Sequence, residues 1–198
     1  MLKIIDDLLA EYNDYHLPYA KISRSEKAGD LIRLKRGLYT DDENSDPFVI
    51  ASYLYFPSYI SFETALSYHD LIPEKVTVIK SATFNKNKKK EYTNSFGHFT
   101  YEDIPAKAFP YGNETIESNG YTVTIASKEK SITDMLYKKE PCRSMKKVKE
   151  LLFDDLRINE DKYETLDFDL LYHLCELYRS TNLEMLQKLL KKEGRIDD

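Results

Sequence analysis

Apolar residues recur every three or four positions at the start of the chain. Leu2, Ile5, Leu8, Leu9 and Tyr12 fall on one stripe with Asp6, Asp7 and Glu11 opposite, which predicts an amphipathic helix over 2–13. Asn13-Asp14 and Pro18 interrupt it. A second short helix is predicted over 19–28 and closed by Gly29, a residue suited to a left-handed helix cap. From Leu31 the period drops to two. Ile32 and Leu34 alternate with Arg33 and Lys35, and Arg36-Gly37 offers a tight turn before Leu38-Tyr39. Helix, turn, helix and basic hairpin in that order outline a small winged helix-turn-helix over residues 1–44.

The polar, acidic stretch Asp41–Ser45 reads as a connector. Asp46-Pro47 then supplies an N-cap followed by proline at the first helical position, and Phe48, Ile50, Ala51 and Leu54 mark a buried helix that ends by Pro57. Ser61 is placed to cap another helix carrying Phe62, Ala65, Leu66 and His69. Strands are predicted over 76–79, 96–101, 115–117 and 121–125, the last two joined across Asn119-Gly120, the strongest hairpin signal in the chain. Between the first two lies Asn85-Lys86-Asn87-Lys88-Lys89-Lys90, read as an exposed basic loop. Helices return over 129–139, 144–156, 168–179 and 182–192. The expected fold is α/β of the mixed α+β kind. A small winged unit would precede a larger mixed domain over 45–198, with a β-sheet and C-terminal helices from about residue 129.

Composition narrows the class. Hydrophobic residues make up 41% of the 198, enough for a core, and charged residues 32%, which together exclude wholesale disorder. Apolar runs are short, so no transmembrane helix is expected, and the charge-broken amino terminus is not a secretory signal. Cys142 and Cys175 lack the spacing of a zinc ribbon or a disulfide scaffold. The chain therefore reads as a soluble cytoplasmic protein. Its net charge of −5 conceals segregation: residues 18–40 hold six Lys and Arg against two acids, and residues 41–74 hold seven acids and no Lys or Arg. Residues 75–92 carry six cations against Glu91. A protein that touches a polyanion with one face has this pattern, although solvated surface charge produces it too.

Metalloprotease, phosphate-loop, dinucleotide-binding and nucleophile-elbow motifs are all absent from the sequence. His173, inside an apolar helix, reads as a packed core residue, and His69 as a partner of helix-terminal carbonyls. The expectation is a binding protein that is not an enzyme, with no catalytic residues, no cofactor and no metal. The candidate interface is the helix over 19–28 with the hairpin after it. Lys21, Arg24, Ser25 and Ala28 stand at i, i+3, i+4 and i+7 and would share one face, with Lys27 adding a cation. Cations and a hydroxyl suit phosphates and base edges, and Arg33, Lys35 and Arg36 would reach flanking phosphates from the wing. Lys80 with Lys86, Lys88, Lys89 and Lys90 would form a second basic patch in the larger domain.

The stretch Tyr19-Ala20-Lys21-Ile22-Ser23-Arg24, continued by Gly29-Asp30-Leu31-Ile32-Arg33-Leu34-Lys35-Arg36-Gly37-Leu38-Tyr39, resembles the winged helix of the AbiEi family. These are the antitoxins of type IV toxin–antitoxin systems. Asp46-Pro47, Ile50-Ala51, the run Tyr59-Ile60-Ser61-Phe62-Glu63-Thr64-Ala65-Leu66-Ser67-Tyr68-His69 and Leu71-Ile72 are similar to the family's next signature, with Asp70 where glycine is frequent. The resemblance implies a protein of abortive infection and phage defence that represses its own operon by binding operator DNA. It also implies neutralisation of a nucleotidyltransferase-like toxin without a stable complex, no membrane partner, and a monomer in solution that is cooperative on DNA. A stand-alone transcriptional regulator and a protein-interaction module that binds no DNA are the alternatives.

Overall fold

A computed structural model describes residues 1–86 and 89–196. The fold is mixed α+β, as expected. Strand β1 (Leu2–Ile4) leads into helix α1 (Ile5–Glu11), a turn, helix α2 (Pro18–Ala28) and the hairpin β2 (Ile32–Lys35) and β3 (Leu38–Thr40). Residues 2–4 are thus strand and not the first turn of a helix. They pair antiparallel with β3, Leu2 opposite Thr40 and Ile4 opposite Leu38, so a partner distant in sequence overrides the local helical period. Pro18 opens α2 and Gly29, at φ 85°, closes it. The amides of Asp30 and Leu31 both return to the Ser25 carbonyl.

Alternation along β3 divides the interior. Tyr39 packs with Leu8, Ile22 and Leu31 on one face of the small sheet. Leu38 and Leu34 turn the other way and join the main core beside Val49, Ile50, Ala51 and Leu54 of helix α3 (Pro47–Leu54). No full helix occupies residues 12–17, and α3 supplies the missing layer behind the wing. The expected boundary at residue 44 is therefore a boundary in the chain that the core crosses.

The larger part is built on a sheet in the order β6-β7-β5-β4-β9-β8. Its strands are β4 (Tyr59–Ile60), β5 (Val78–Thr83), β6 (Lys90–Asn94), β7 (Gly97–Asp103), β8 (Asn113–Ser118) and β9 (Tyr121–Ala126). Asn119 and Gly120 both take positive φ, 49° and 79°, the geometry of the expected two-residue hairpin turn. Ser81 and Tyr101 are register neighbours on one face, where the Tyr101 hydroxyl donates to the Ala51 carbonyl of α3. Lys80, one residue along, faces oppositely and meets Glu63 in helix α4 (Phe62–Tyr68), so helices cover both sides. Strand β4, two residues long, and β6, which begins inside the expected basic loop, carry no readable alternation of their own.

Helices α5 (Lys128–Lys138), α6 (Met145–Glu150), α7 (Glu160–Tyr163), α8 (Phe168–Cys175) and α9 (Thr181–Lys192) complete the fold. The helix expected over 144–156 changes to a π-helical turn at Leu151–Asp155. His173 lies on the exposed side of α8, 3.8 Å from Glu176, and is not a core residue. The buried side of that helix is Leu171, Leu174 and Cys175, and one residue past Cys175 the face has already rotated to solvent at Glu176. Among the described residues, no helix is long and apolar enough to cross a membrane.

Candidate nucleic-acid interface

Helix α2 packs through Ile22 and Ser25, three residues apart and both buried. Its outward residues are Tyr19, Ser23, Arg24, Lys27 and Ala28. Ser25 therefore does not face solvent with Arg24; its hydroxyl sits on the packed side and its carbonyl is consumed by the helix cap. Ser23 holds the exposed position instead. Lys21 is half-buried, its ammonium 5.6 Å from the ring centroids of both Tyr12 and Tyr15, where it braces the turn between α1 and α2.

The wing divides in the same way. Arg33 is exposed but donates to Glu26 at 2.7 Å and lies over the Tyr39 ring. Lys35 is engaged within the protein itself. Its ammonium donates to the carbonyls of Tyr53 at 3.1 Å and Leu54 at 2.7 Å, at the C-terminal end of α3, and burial lowers its pKa. Arg24, Lys27 and Arg36 are exposed and have no ion pair among the described residues. A groove of about 550 Å³ runs between α2 and the wing, lined by Tyr19, Ser23, Glu26, Arg33, Arg36 and Tyr39 among others. Arg36 and Ser23 line that groove, while Arg24 and Lys27 stand on the exposed side of α2 outside its lining. Cations and a hydroxyl so exposed can meet a phosphate backbone.

The second basic patch is dispersed. Lys80 in β5 is held by Glu63 at 2.8 Å, away from the loop. Lys86 donates its amide to Asp103, and its ammonium sits 5.4 Å from the Tyr55 ring centroid. Lys89 pairs with Glu91 at 2.9 Å, and Lys90 is the exposed first residue of β6. Lys88 lies outside the described residues.

A polar cluster that the sequence did not announce is buried at the centre of the larger part. Lys130 and Asp134, one turn apart in α5 and both without exposed surface, are 3.3 Å from each other. Asp134 accepts hydrogen bonds from the hydroxyls of Tyr59 and Ser61, each at 2.7 Å, and from Tyr178 at 2.5 Å. Lys130 donates to the Ala108 carbonyl at 2.8 Å and to the Tyr178 hydroxyl. Burial raises the pKa of both tyrosines, reinforced by the charge of Asp134; burial also lowers that of Lys130, against which Asp134 acts. None of the five side chains is more than 5% exposed, so the cluster is closed to any substrate in this structure.

Its geometry rests on one unusual backbone position. Ser61 precedes α4, but its hydroxyl makes no capping bond and goes to Asp134. Phe62, at φ 54°, turns the chain from β4 into the helix; a bulky residue in that region costs on the order of 1–3 kcal/mol. His69 likewise does not serve its own helix end, since Nε2 lies 2.8 Å from the Ala126 carbonyl at the end of β9. The signal available in the sequence was Lys130 and Asp134 at i, i+4 among the apolar residues Ile132, Met135 and Leu136. No protein-family model matches the chain, and no curated protein matches it.

Proposed function

We propose that the chain is an antitoxin of a type IV toxin–antitoxin system that neutralises a nucleotidyltransferase-like toxin and represses its own operon, with α2 and the wing as the DNA-reading surface. The observation that carries the DNA reading is the set of exposed cations Arg24 and Lys27 on α2 and Arg36 in the hairpin turn, none of which has an ion pair among the described residues. The antitoxin reading rests on the resemblance of residues 19–39 and 46–72 to the AbiEi family. The larger part, with its own sheet and a buried polar cluster, would carry the neutralising activity. Binding of the full chain to its own promoter fragment and to a scrambled duplex, each at several salt concentrations, tests the first half. A preference for the promoter is expected, and equal binding to both duplexes removes operator recognition. Growth rescue from the toxin encoded beside it tests the second half, and failure of a folded, abundant protein to rescue removes the antitoxin role.

A further inference from the structure

Residues 138–149 hold six Lys and Arg against one acid, Glu140, a higher density of cations than the winged segment has. The run begins in the last turn of α5, crosses a connector and enters α6. A single buried side chain fixes that connector. Asn182 in α9, 1% exposed, donates through Nδ2 to the carbonyls of Leu136 at 2.9 Å, Lys139 at 3.2 Å and Glu140 at 3.1 Å. Its Oδ1 accepts from the Cys142 amide at 2.6 Å. The backbone that carries the charges is thus pre-shaped, which lowers the ordering cost of binding.

Three of the cations are already engaged: Lys138 with Glu102, Lys146 with Glu150 and Lys149 with Glu193. Half-buried Lys139 and exposed Arg143 and Lys147 have no ion pair among the described residues. Lys139 also lines a groove of about 430 Å³ together with exposed Lys75. Of the acids there, Glu63 and Glu74 are occupied by Lys80 and Arg157, and Asp155 is exposed. The large exposed apolar side chains lie elsewhere, from Met1 to Tyr19 and at Tyr53, Phe56, Tyr68 and Tyr111. A protein interface needs a buried aromatic or aliphatic anchor and a membrane surface needs apolar insertion, and residues 138–149 offer neither. A phosphodiester backbone needs only fixed cations in a wet, polar surface.

We propose that Lys139, Arg143 and Lys147 form a second nucleic-acid surface, separate from α2 and the wing, which grips the phosphodiester backbone without reading bases. The test uses the full chain carrying Arg24→Ala, Lys27→Ala and Arg36→Ala, so that the winged segment contributes little. Binding of a single-stranded RNA and of a duplex DNA, both of arbitrary sequence, is measured at several salt concentrations. The substitutions Lys139→Gln, Arg143→Gln and Lys147→Gln together should flatten the log–log salt slope by about 2.7 on duplex or about 2.1 on single strands, whichever is the ligand. A control that neutralises Lys107, Arg179 and Lys188 removes the same charge from other exposed positions and should leave the slope nearly unchanged. Equal flattening by both triples, or flattening by neither, overturns the proposal.

Cys142 provides an independent reading within the connector. It is half-buried, whereas Cys175 is buried and its thiol is pushed up by burial, so alkylation reports Cys142. The nucleic acid should slow that alkylation several-fold in the parent protein and not in the site triple. Labelling unaffected by saturating nucleic acid overturns the assignment.

Discussion

Asp134 accepts hydrogen bonds from three hydroxyl groups on two separate segments while facing Lys130, and its removal would leave a cation in a solvent-free site. Asp134→Ala should therefore destabilise the fold by about 3–5 kcal/mol in denaturant titration. Replacing Lys130 by Met and Asp134 by Leu together should recover most of that loss, because two apolar groups need no compensation. A double variant as unstable as Asp134→Ala alone would contradict this account. The tyrosines add a pH dependence. Tyr59 and Tyr178 titrate above the ordinary value of 10.0, so the unfolded chain ionises first. Their contribution is fully present below pH 10.0 and is lost as pH rises above it. Stability measured across that range should fall, less steeply in Tyr178→Phe than in the parent; an unchanged slope would remove Tyr178 from the cause. Lys130, lowered by burial, acts with the opposite sign and softens the fall.

At the scale of elements, the hairpin β2–β3 has two different employments, and substitutions should separate them. Arg36→Ala and Lys27→Ala should each flatten the salt dependence of DNA binding by about 0.9 in log–log slope, with little change in stability. Arg24→Ala, on the outward face of α2, should cost on the order of 1–3 kcal/mol on the promoter and relax preference at one base pair. Lys35→Ala should leave the salt slope alone and cost about 1–2 kcal/mol of stability, since its ammonium satisfies the last carbonyls of α3. A Lys35 variant that binds DNA with an altered slope and unaltered stability would reverse that assignment. In the basic loop, charge reversal at Lys86, Lys89 and Lys90 should leave toxin rescue unchanged. Lys86 rests over Tyr55 and Lys89 on Glu91, so two of these cations already have local partners. Lost rescue with intact operator binding would assign the loop to neutralisation.

Across the whole molecule, the small sheet is bound to the rest by more than the chain. Leu34 and Leu38 enter the main core, the Leu2 amide donates to the Tyr121 hydroxyl at 2.9 Å, and Asn94 donates to the Leu34 carbonyl at 3.3 Å. A fragment of residues 45–198 should therefore unfold at a lower temperature than the full chain and expose the seat of those leucines; an equal midpoint would show that the larger part is independent. Local sequence determined a great deal here: the start and cap of α2, the basic hairpin, Asp46 as the cap of α3, and the Asn119-Gly120 turn. Each depends on dihedral preferences and hydrogen bonds within a few residues, which the chain states directly. Only the tertiary structure decided that residues 2–4 are a strand, that Ser25 is packed, that Lys35 serves α3, and that Asn182 fixes a cationic connector some forty positions away. The same holds for Tyr59, Ser61, Lys130, Asp134 and Tyr178, which meet around one carboxylate. A strand needs a partner, and a buried polar group needs complements from other segments. Which segments supply them is fixed by packing, and the residue types alone carry no record of it.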